Sequence, residues 1–208
     1  MKITSSSITD GAPIAPRFAF GKPDPETHFA LSENVTPHLA WSGAPAGTRS
    51  FVLICHDVDV PTVFDDANQP GRTIAHDLPR MDFTHWVLVD IPASVTELAE
   101  GAQAGVVAGG KAPGPGPVGR QGINDFTGWF AGDPNMGGDY GGYDGPAPPW
   151  NDERLHRYFF TVYALDVDSL PVDGSFTRAD ALAAMEGHVL AEASIHGTYA
   201  INPALHGK

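Results

Sequence analysis

One stretch constrains this chain more than any other: Phe51-Val52-Leu53-Ile54-Cys55-His56-Asp57-Val58-Asp59-Val60-Pro61. It opens as an apolar run rich in β-branched residues and stops at a proline, the pattern of a buried strand. Asp57 and Asp59 stand two residues apart, so in an extended chain both point to one face. Charge at the end of a core strand costs stability unless it is satisfied or used. The C-terminal end of this strand is therefore the first place to look for function.

Two later stretches carry the same pattern with reversed polarity. His85-Trp86-Val87-Leu88-Val89-Asp90-Ile91-Pro92 opens on a histidine, and His156-Arg157-Tyr158-Phe159-Phe160-Thr161-Val162-Tyr163-Ala164-Leu165 opens on His-Arg before a long apolar run. The first strand has its polar residues at its C-terminal end, the other two at their N-terminal ends. Antiparallel pairing of the first with each of the others gathers Asp57, Asp59, His85 and His156 at one sheet edge.

The chain's 24 glycines and 19 prolines favour short strands and long turns over a helical bundle. Its 208 residues suffice for one substantial core, and a single domain over 1–208 is expected. A formal net charge of −13 excludes nucleic acid as a partner and adsorption to an anionic membrane surface. Cys55 is the only cysteine, so no intramolecular disulfide forms, and its place in the core strand reads as packing. No segment has the length and apolarity to span a bilayer, and the N-terminal residues lack the apolar stretch of a signal peptide. The expected location is cytoplasmic.

Along the chain, residues 1–30 read as an irregular approach with one edge strand, and residues 34–48 as a short strand and a tight turn. Asn34-Val35-Thr36 matches a glycosylation sequon without consequence in a cytoplasmic protein. Residues 62–84 form a long polar excursion, and residues 101–150 lack periodicity. Two phosphate-binding patterns inside the latter fail. Gly105 to Lys111 has P-loop spacing but Ala112 where a magnesium-binding hydroxyl belongs, and Pro113, Pro115 and Pro117 forbid the helix that either pattern needs. The aromatic residues Phe126, Trp129, Phe130, Tyr140, Tyr143 and Trp150 fit a lid over one end of the fold or the wall of a pocket. Thr177-Arg178-Ala179-Asp180 resembles a capping box, and a helix is expected over 178–193, with Leu182, Met185, Val189 and Ala193 as its apolar stripe and His188 solvated or structural. A short extended tail over 197–201 follows.

Aspartates and histidines at a sheet edge allow three chemistries: a zinc or iron site, general acid–base catalysis, or an anion pocket with histidine and backbone donors. A fourth reading is a satisfied structural network in which Asp57 fixes His85 and His156. No compact metal motif such as HExxH is present.

The Asp-x-Asp-x-Pro stretch, the His85-Trp86 strand opening and the segment Tyr143-Asp144-Gly145-Pro146-Ala147-Pro148-Pro149 followed by His156-Arg157-Tyr158 occur in one order. Together they resemble the phosphatidylethanolamine-binding protein family, also called Raf kinase inhibitor-like proteins. The turn over 41–48 and the run Pro148-Pro149-Trp150-Asn151-Asp152 are similar to its bacterial branch. The resemblance extends from about Asn34 to Tyr199. It implies a mainly β fold: an antiparallel β-sandwich with Greek-key connections, long Gly/Pro-rich loops and a C-terminal helix. It further implies a non-catalytic protein that binds a small anion or phosphate head group, without cofactor or metal, in a pocket at one end of the sandwich. Carried over, that pocket comprises Asp57, His85, His156 and Tyr158, with backbone donors around Gly145 and Ala147, while Asp59 and Pro61 shape its first loop. In this picture His85 and His156 donate to the anion and Asp57 fixes their tautomers. Regulation of a partner kinase or protease and a homodimer are further implications. The alternative is a hydrolase, metal-assisted or not, built on the same Asp/His cluster. Three positions depart from the family pattern: Val58 where a proline is usual, Leu155 where a glycine often precedes His-Arg, and Ala147 in place of a glycine.

Overall fold

The computed structural model describes residues 1–102 and 105–206. Its strands are β1 (Lys2–Thr4), β2 (Gly21–Asp24), β3 (His28–Leu31), β4 (Leu39–Ser42), β5 (Ser50–Pro61), β6 (Arg80–Pro92), β7 (Glu97–Leu98), β8 (Gly114–Pro115), β9 (Arg120–Gln121), β10 (His156–Leu165) and β11 (Val189–Tyr199). Among the described residues the α-helices are α1 (Phe126–Trp129) and α2 (Arg178–Met185), with 3-10 turns at Pro16–Phe18 and Pro203–Leu205. The fold is thus mainly β, and every pair of named strands is antiparallel.

The largest sheet runs β11-β10-β5-β6-β9-β8, beside a three-stranded sheet β1-β4-β7 and the hairpin β2-β3. β5 lies between β10 and β6, as the reversed polarity of the three strands requires. Both of its faces are covered. Phe51, Leu53 and Cys55 join Trp86, Leu88 and Phe160 in a core shared with Ile3, Leu39 and Trp41 of the small sheet. Val52 and Ile54 point the other way, onto Val87, Val89, Phe176, Ala181 and Met185, where α2 lies. A strand buried on both sides needs apolar residues at every position, which is why the run is unbroken.

The helix is shorter than its apolar spacing suggests. The capping box forms, with the Thr177 side chain accepting from the Asp180 N–H and the Asp180 carboxylate accepting from the Thr177 N–H, but α2 ends at Met185. Gly187 then adopts φ +80°, a left-handed conformation that turns the chain away from the helix. Residues 189–199 pair with β10 along its length, so Val189 and Ala193 belong to a strand and not to a helical stripe. Of the tail expected over 197–201, residues 197–199 are the end of that strand, and Ala200 and Ile201 lie beyond it. The approach segment holds more than one edge strand: β1 and the β2-β3 hairpin. Likewise, residues 101–150 contain β8, β9 and the single turn α1.

Candidate functional site

β5, β6 and β10 bring their polar ends together. Tyr158 of β10 stands opposite Asp57, and Asp57 stands opposite Phe83 of β6, two residues before His85. Between Asp57 and Val60 the β5–β6 register slips, three residues of β5 running against two of β6. This bulge breaks the two-residue alternation on which a common face for Asp57 and Asp59 was expected. Asp57, His85, Ala147, His156 and Tyr158 line one cavity of about 360 Å³; Asp59 and Gly145 do not line it.

His156 is fully buried between two carboxylates. Its Nδ1 lies 2.6 Å from Asp57 Oδ2 and its Nε2 3.2 Å from Asp152 Oδ2. Burial opposes the imidazolium charge, but Asp57 and Asp152 outweigh it and raise the pKa to about 9. Both N–H groups are therefore committed, and His156 has none left to donate to a ligand. This corrects the expectation that it is an anion donor. Arg80 completes the cluster by gripping Asp152 with Nη1 at 2.5 Å and Nη2 at 3.0 Å. Two cations, His156 and Arg80, thus balance two anions, Asp57 and Asp152.

His85 is arranged differently. Its Nδ1 lies 2.7 Å from the Asp144 carbonyl oxygen, to which it donates, so the neutral ring carries its lone pair on Nε2. Burial lowers its pKa, and the opposing pull of the Asp57 carboxylate and of the bonded carbonyl does not prevail. Asp57 therefore fixes His156 and not His85. The residue that orients His85 is Asp144, whose N–H also donates to the His85 carbonyl at 3.0 Å. Asp144 is itself clamped: Lys111 Nζ at 2.6 Å, Asn34 Nδ2 at 2.7 Å and Asn124 Nδ2 at 2.8 Å all donate to its carboxylate. Lys111, from the failed phosphate pattern, and Asn34, from the sequon, thus serve to hold the segment behind His85.

Tyr158 is buried, and its hydroxyl faces the Asp57 carboxylate without a hydrogen bond of ordinary length. Burial first, then the nearby Asp57 carboxylate, pushes its pKa well above the ordinary phenol value. It remains a neutral donor beside His85, the two rings meeting edge to face at 5.1 Å. The Gly145 N–H, expected among the anion donors, is already given to Asn34 Oδ1 at 2.7 Å. Ala147 reaches the cavity without adopting a positive φ, so replacing glycine there introduces no left-handed strain. Asp59 sits behind the site. Its carboxylate binds Arg154 Nε at 2.7 Å and Arg157 Nε at 2.8 Å, and these arginines lower its pKa against the opposing effect of burial.

Around this polar floor the wall is aromatic. Phe126 stacks on Phe20 at 4.5 Å and on Phe130 at 5.7 Å, and Phe83 meets Phe126 edge to face at 5.2 Å. Phe64 and Asn68 come from the 62–84 excursion, whose loop is pinned when Asn151 accepts from the Asn68 N–H and donates to the carbonyls of Asp66 and Arg72. Of the aromatic residues noted over 126–150, Phe126, Trp129 and Phe130 are wall residues. Tyr140 and Tyr143 are buried in the core, and Trp150 stacks on His28 at 4.3 Å. Asp152, Arg80, Asp144, Phe20 and Phe29 were missed. Only Asp152 left a local trace, an aspartate four residues before His156. Among the described residues no group of three or more His, Cys, Asp or Glu is placed to hold a metal ion.

A family model described as phosphatidylethanolamine-binding protein matches residues 4–200. The UPF0098 protein YbhB of Escherichia coli is 34% identical over 197 residues, covering 94% of this chain and 97% of that one. A UPF0098 protein of Aquifex aeolicus is 35% identical over 182 residues, covering 88% and 84%. Among solved structures, Escherichia coli YbcL, titled a new member of the mammalian PEBP family, superposes with a TM-score of 0.66 at 29% identity, covering 96% of this chain and 97% of that one. A phosphatidylethanolamine-binding protein homolog from Chlamydia trachomatis gives 0.64 at 28% identity, with 95% of each chain covered.

Proposed function

Because the chain belongs to the phosphatidylethanolamine-binding protein family, we propose that it is a non-catalytic binding protein whose cavity takes a small protic anion of the phosphate head-group type. The observation that carries this reading is two polar groups on the cavity floor: His85 Nε2, opposite the nitrogen given to Asp144, and the Tyr158 hydroxyl, which has only the Asp57 carboxylate beside it and no hydrogen bond of ordinary length. Among the described residues that line the cavity, Asp57, Asn68 and His156 already have hydrogen-bond partners. A neutral His85 accepts a hydrogen bond, and the Tyr158 hydroxyl donates one. That combination suits a phosphate monoester carrying one proton, whose P–OH donates to His85 while a P–O⁻ accepts from Tyr158. A dianion meeting a protonated His85 is the same complex with the proton moved. The finer architecture implied by family membership, a Greek-key sandwich with the cavity at one end, belongs to the same proposal.

The complex holds one proton shared between ligand and imidazole. Phosphate monoesters lose their second proton near pH 6, and the His85 pKa lies below its ordinary value of 6.5. Affinity for phosphoethanolamine therefore rises as pH falls through about 7 to 6 and drops above that range. A phosphorus NMR titration of phosphoethanolamine with the purified protein reads this directly. The expected result is a broadened or shifted signal from intact compound, stronger at pH 6 than at pH 8 and lost in His85→Ala. An affinity indifferent to both pH and His85→Ala overturns the reading. A growing inorganic phosphate peak replaces it with a hydrolase.

A further inference from the structure

The cavity is larger and far more apolar than a phosphate group requires. An apolar cavity of about 150 Å³ is enough to take one benzene ring, whereas this one measures about 360 Å³. Apart from Asn68, whose Oδ1 is taken up by the Trp150 N–H, the polar side chains of the lining are those of the floor, and the walls carry stacked and edge-on rings centred on Phe126. The apolar surface continues to the mouth. Leu31 and Trp129 both line the cavity and remain 50% and 42% exposed, and Phe64 meets Trp129 edge to face at 5.0 Å. Water filling such a chamber would find few hydrogen-bond partners above the floor.

Charge points the same way. The two cations and two anions beneath the floor cancel, and the chain as a whole carries a formal −13. A bare anion gains no long-range attraction from this protein and is repelled by its net field. Binding strength has to come from the walls.

We infer that the occupant is an amphipathic acid: a flat apolar body, about the size of two fused rings, bearing one protic phosphate-type head that reaches His85 and Tyr158. This rests on the head-group reading above and adds what the rest of the ligand must be. The body lies among Phe20, Phe83, Phe126 and Phe130, and its outer edge passes Phe64 and Trp129 at the mouth. Inorganic phosphate and phosphoethanolamine occupy the floor alone and leave the chamber to water.

Calorimetric titration at pH 6 with three probes tests this: 2-naphthyl phosphate, inorganic phosphate and uncharged 2-naphthol. The expected result is that naphthyl phosphate binds at least tenfold more tightly than either of the others. Trp129→Ala, a change at a part-exposed rim position, should narrow the ratio of naphthyl phosphate to phosphate affinity severalfold. Equal affinities for naphthyl phosphate and phosphate overturn the inference and leave the head-group reading standing. Binding of phosphate with exclusion of naphthyl phosphate does the same. If 2-naphthol binds as tightly as naphthyl phosphate, the chamber is used without the acid head, and both readings fall. Absence of binding by all three probes also overturns both.

Discussion

The charge on His156 makes the sharpest prediction about this protein. The imidazole is clasped between Asp57 and Asp152 and its pKa is raised from 6.5 to about 9. A group whose folded pKa exceeds its unfolded value holds its proton more tightly when folded. Its contribution to stability is complete below pH 6.5 and is lost as pH rises from 6.5 to about 9. At 1.36 kcal/mol per unit, the interval corresponds to about 3 kcal/mol. His85 and His56 have lowered pKa values and titrate on the acid side of this window, so they do not mask it. The buried Cys55 thiol, whose pKa is raised well above its ordinary value, adds a loss near and above pH 9. Comparison with Asp57→Asn separates the two below pH 9, since burial, the larger cause of the Cys55 shift, is kept and only the smaller contribution of the Asp57 charge is removed. Urea unfolding at half-unit steps from pH 6 to 9 should show wild-type stability falling across the range and a shallower fall in Asp57→Asn. NMR of the ring should find His156 protonated at pH 8 in the wild type, with its titration shifted toward lower pH in the variant. A His156 ring that titrates at or below 6.5, or a wild-type stability that is flat from 6.5 to 9, would refute the argument.

Two further expectations concern residues behind the cavity. Asp59→Ala strands Arg154 and Arg157, both of which still reach solvent, so the loss should be about 1–3 kcal/mol in urea unfolding, less than for a wholly buried pair. Because Asp59 does not line the cavity, phosphoethanolamine affinity measured in the folded variant should change less than twofold, and a larger change would make Asp59 part of the binding site. Gly145→Ala places a Cβ 2.0 Å from the Phe18 carbonyl oxygen and 2.8 Å from the Tyr143 hydroxyl. The backbone must shift, and thermal unfolding should show a loss of about 1–3 kcal/mol; an unchanged midpoint would mean that the segment behind His85 is not held as described.

The skeleton of the fold was legible because three strands carry their own address. An apolar run ending in Asp57-x-Asp59-x-Pro61 and two runs beginning at His85 and His156 can gather their polar ends only by antiparallel pairing about the first, and that is the observed order. The helix was legible at its start, where Thr177 and Asp180 form a local cap, but not at its end. Leu182, Met185, Val189 and Ala193 satisfy helical spacing, yet Gly187 breaks the helix and backbone pairing with β10 claims the last two. The cavity wall was half legible. Phe126, Trp129 and Phe130 cluster in sequence, whereas Phe20 and Phe29 arrive from the β2-β3 region, far away in the chain. The clamp on Asp144 is least local of all. Its donors come from Asn34, Lys111 and Asn124, and no spacing rule connects them.

The two histidines begin similar strands and look equivalent in sequence, yet the fold gives them opposite protonation. His156 meets two carboxylates, each held by a further donor, and is charged; His85 meets a backbone carbonyl among aromatic rings and is neutral. Groups whose pKa values are driven apart in this way take different roles. The positive charge on His156 is already matched by Asp57 and Asp152, so it gives little field to a ligand and serves to lock β5 to β10. His85 keeps one nitrogen free, and a ligand can take up that nitrogen only with a proton of its own or one added to the ring. The pH dependence of binding must then follow His85 and the ligand, while the pH dependence of stability on the alkaline side follows His156. Two titrations in one cavity, read by different assays in different pH ranges, are the signature that separates this arrangement from a site in which both histidines share one task.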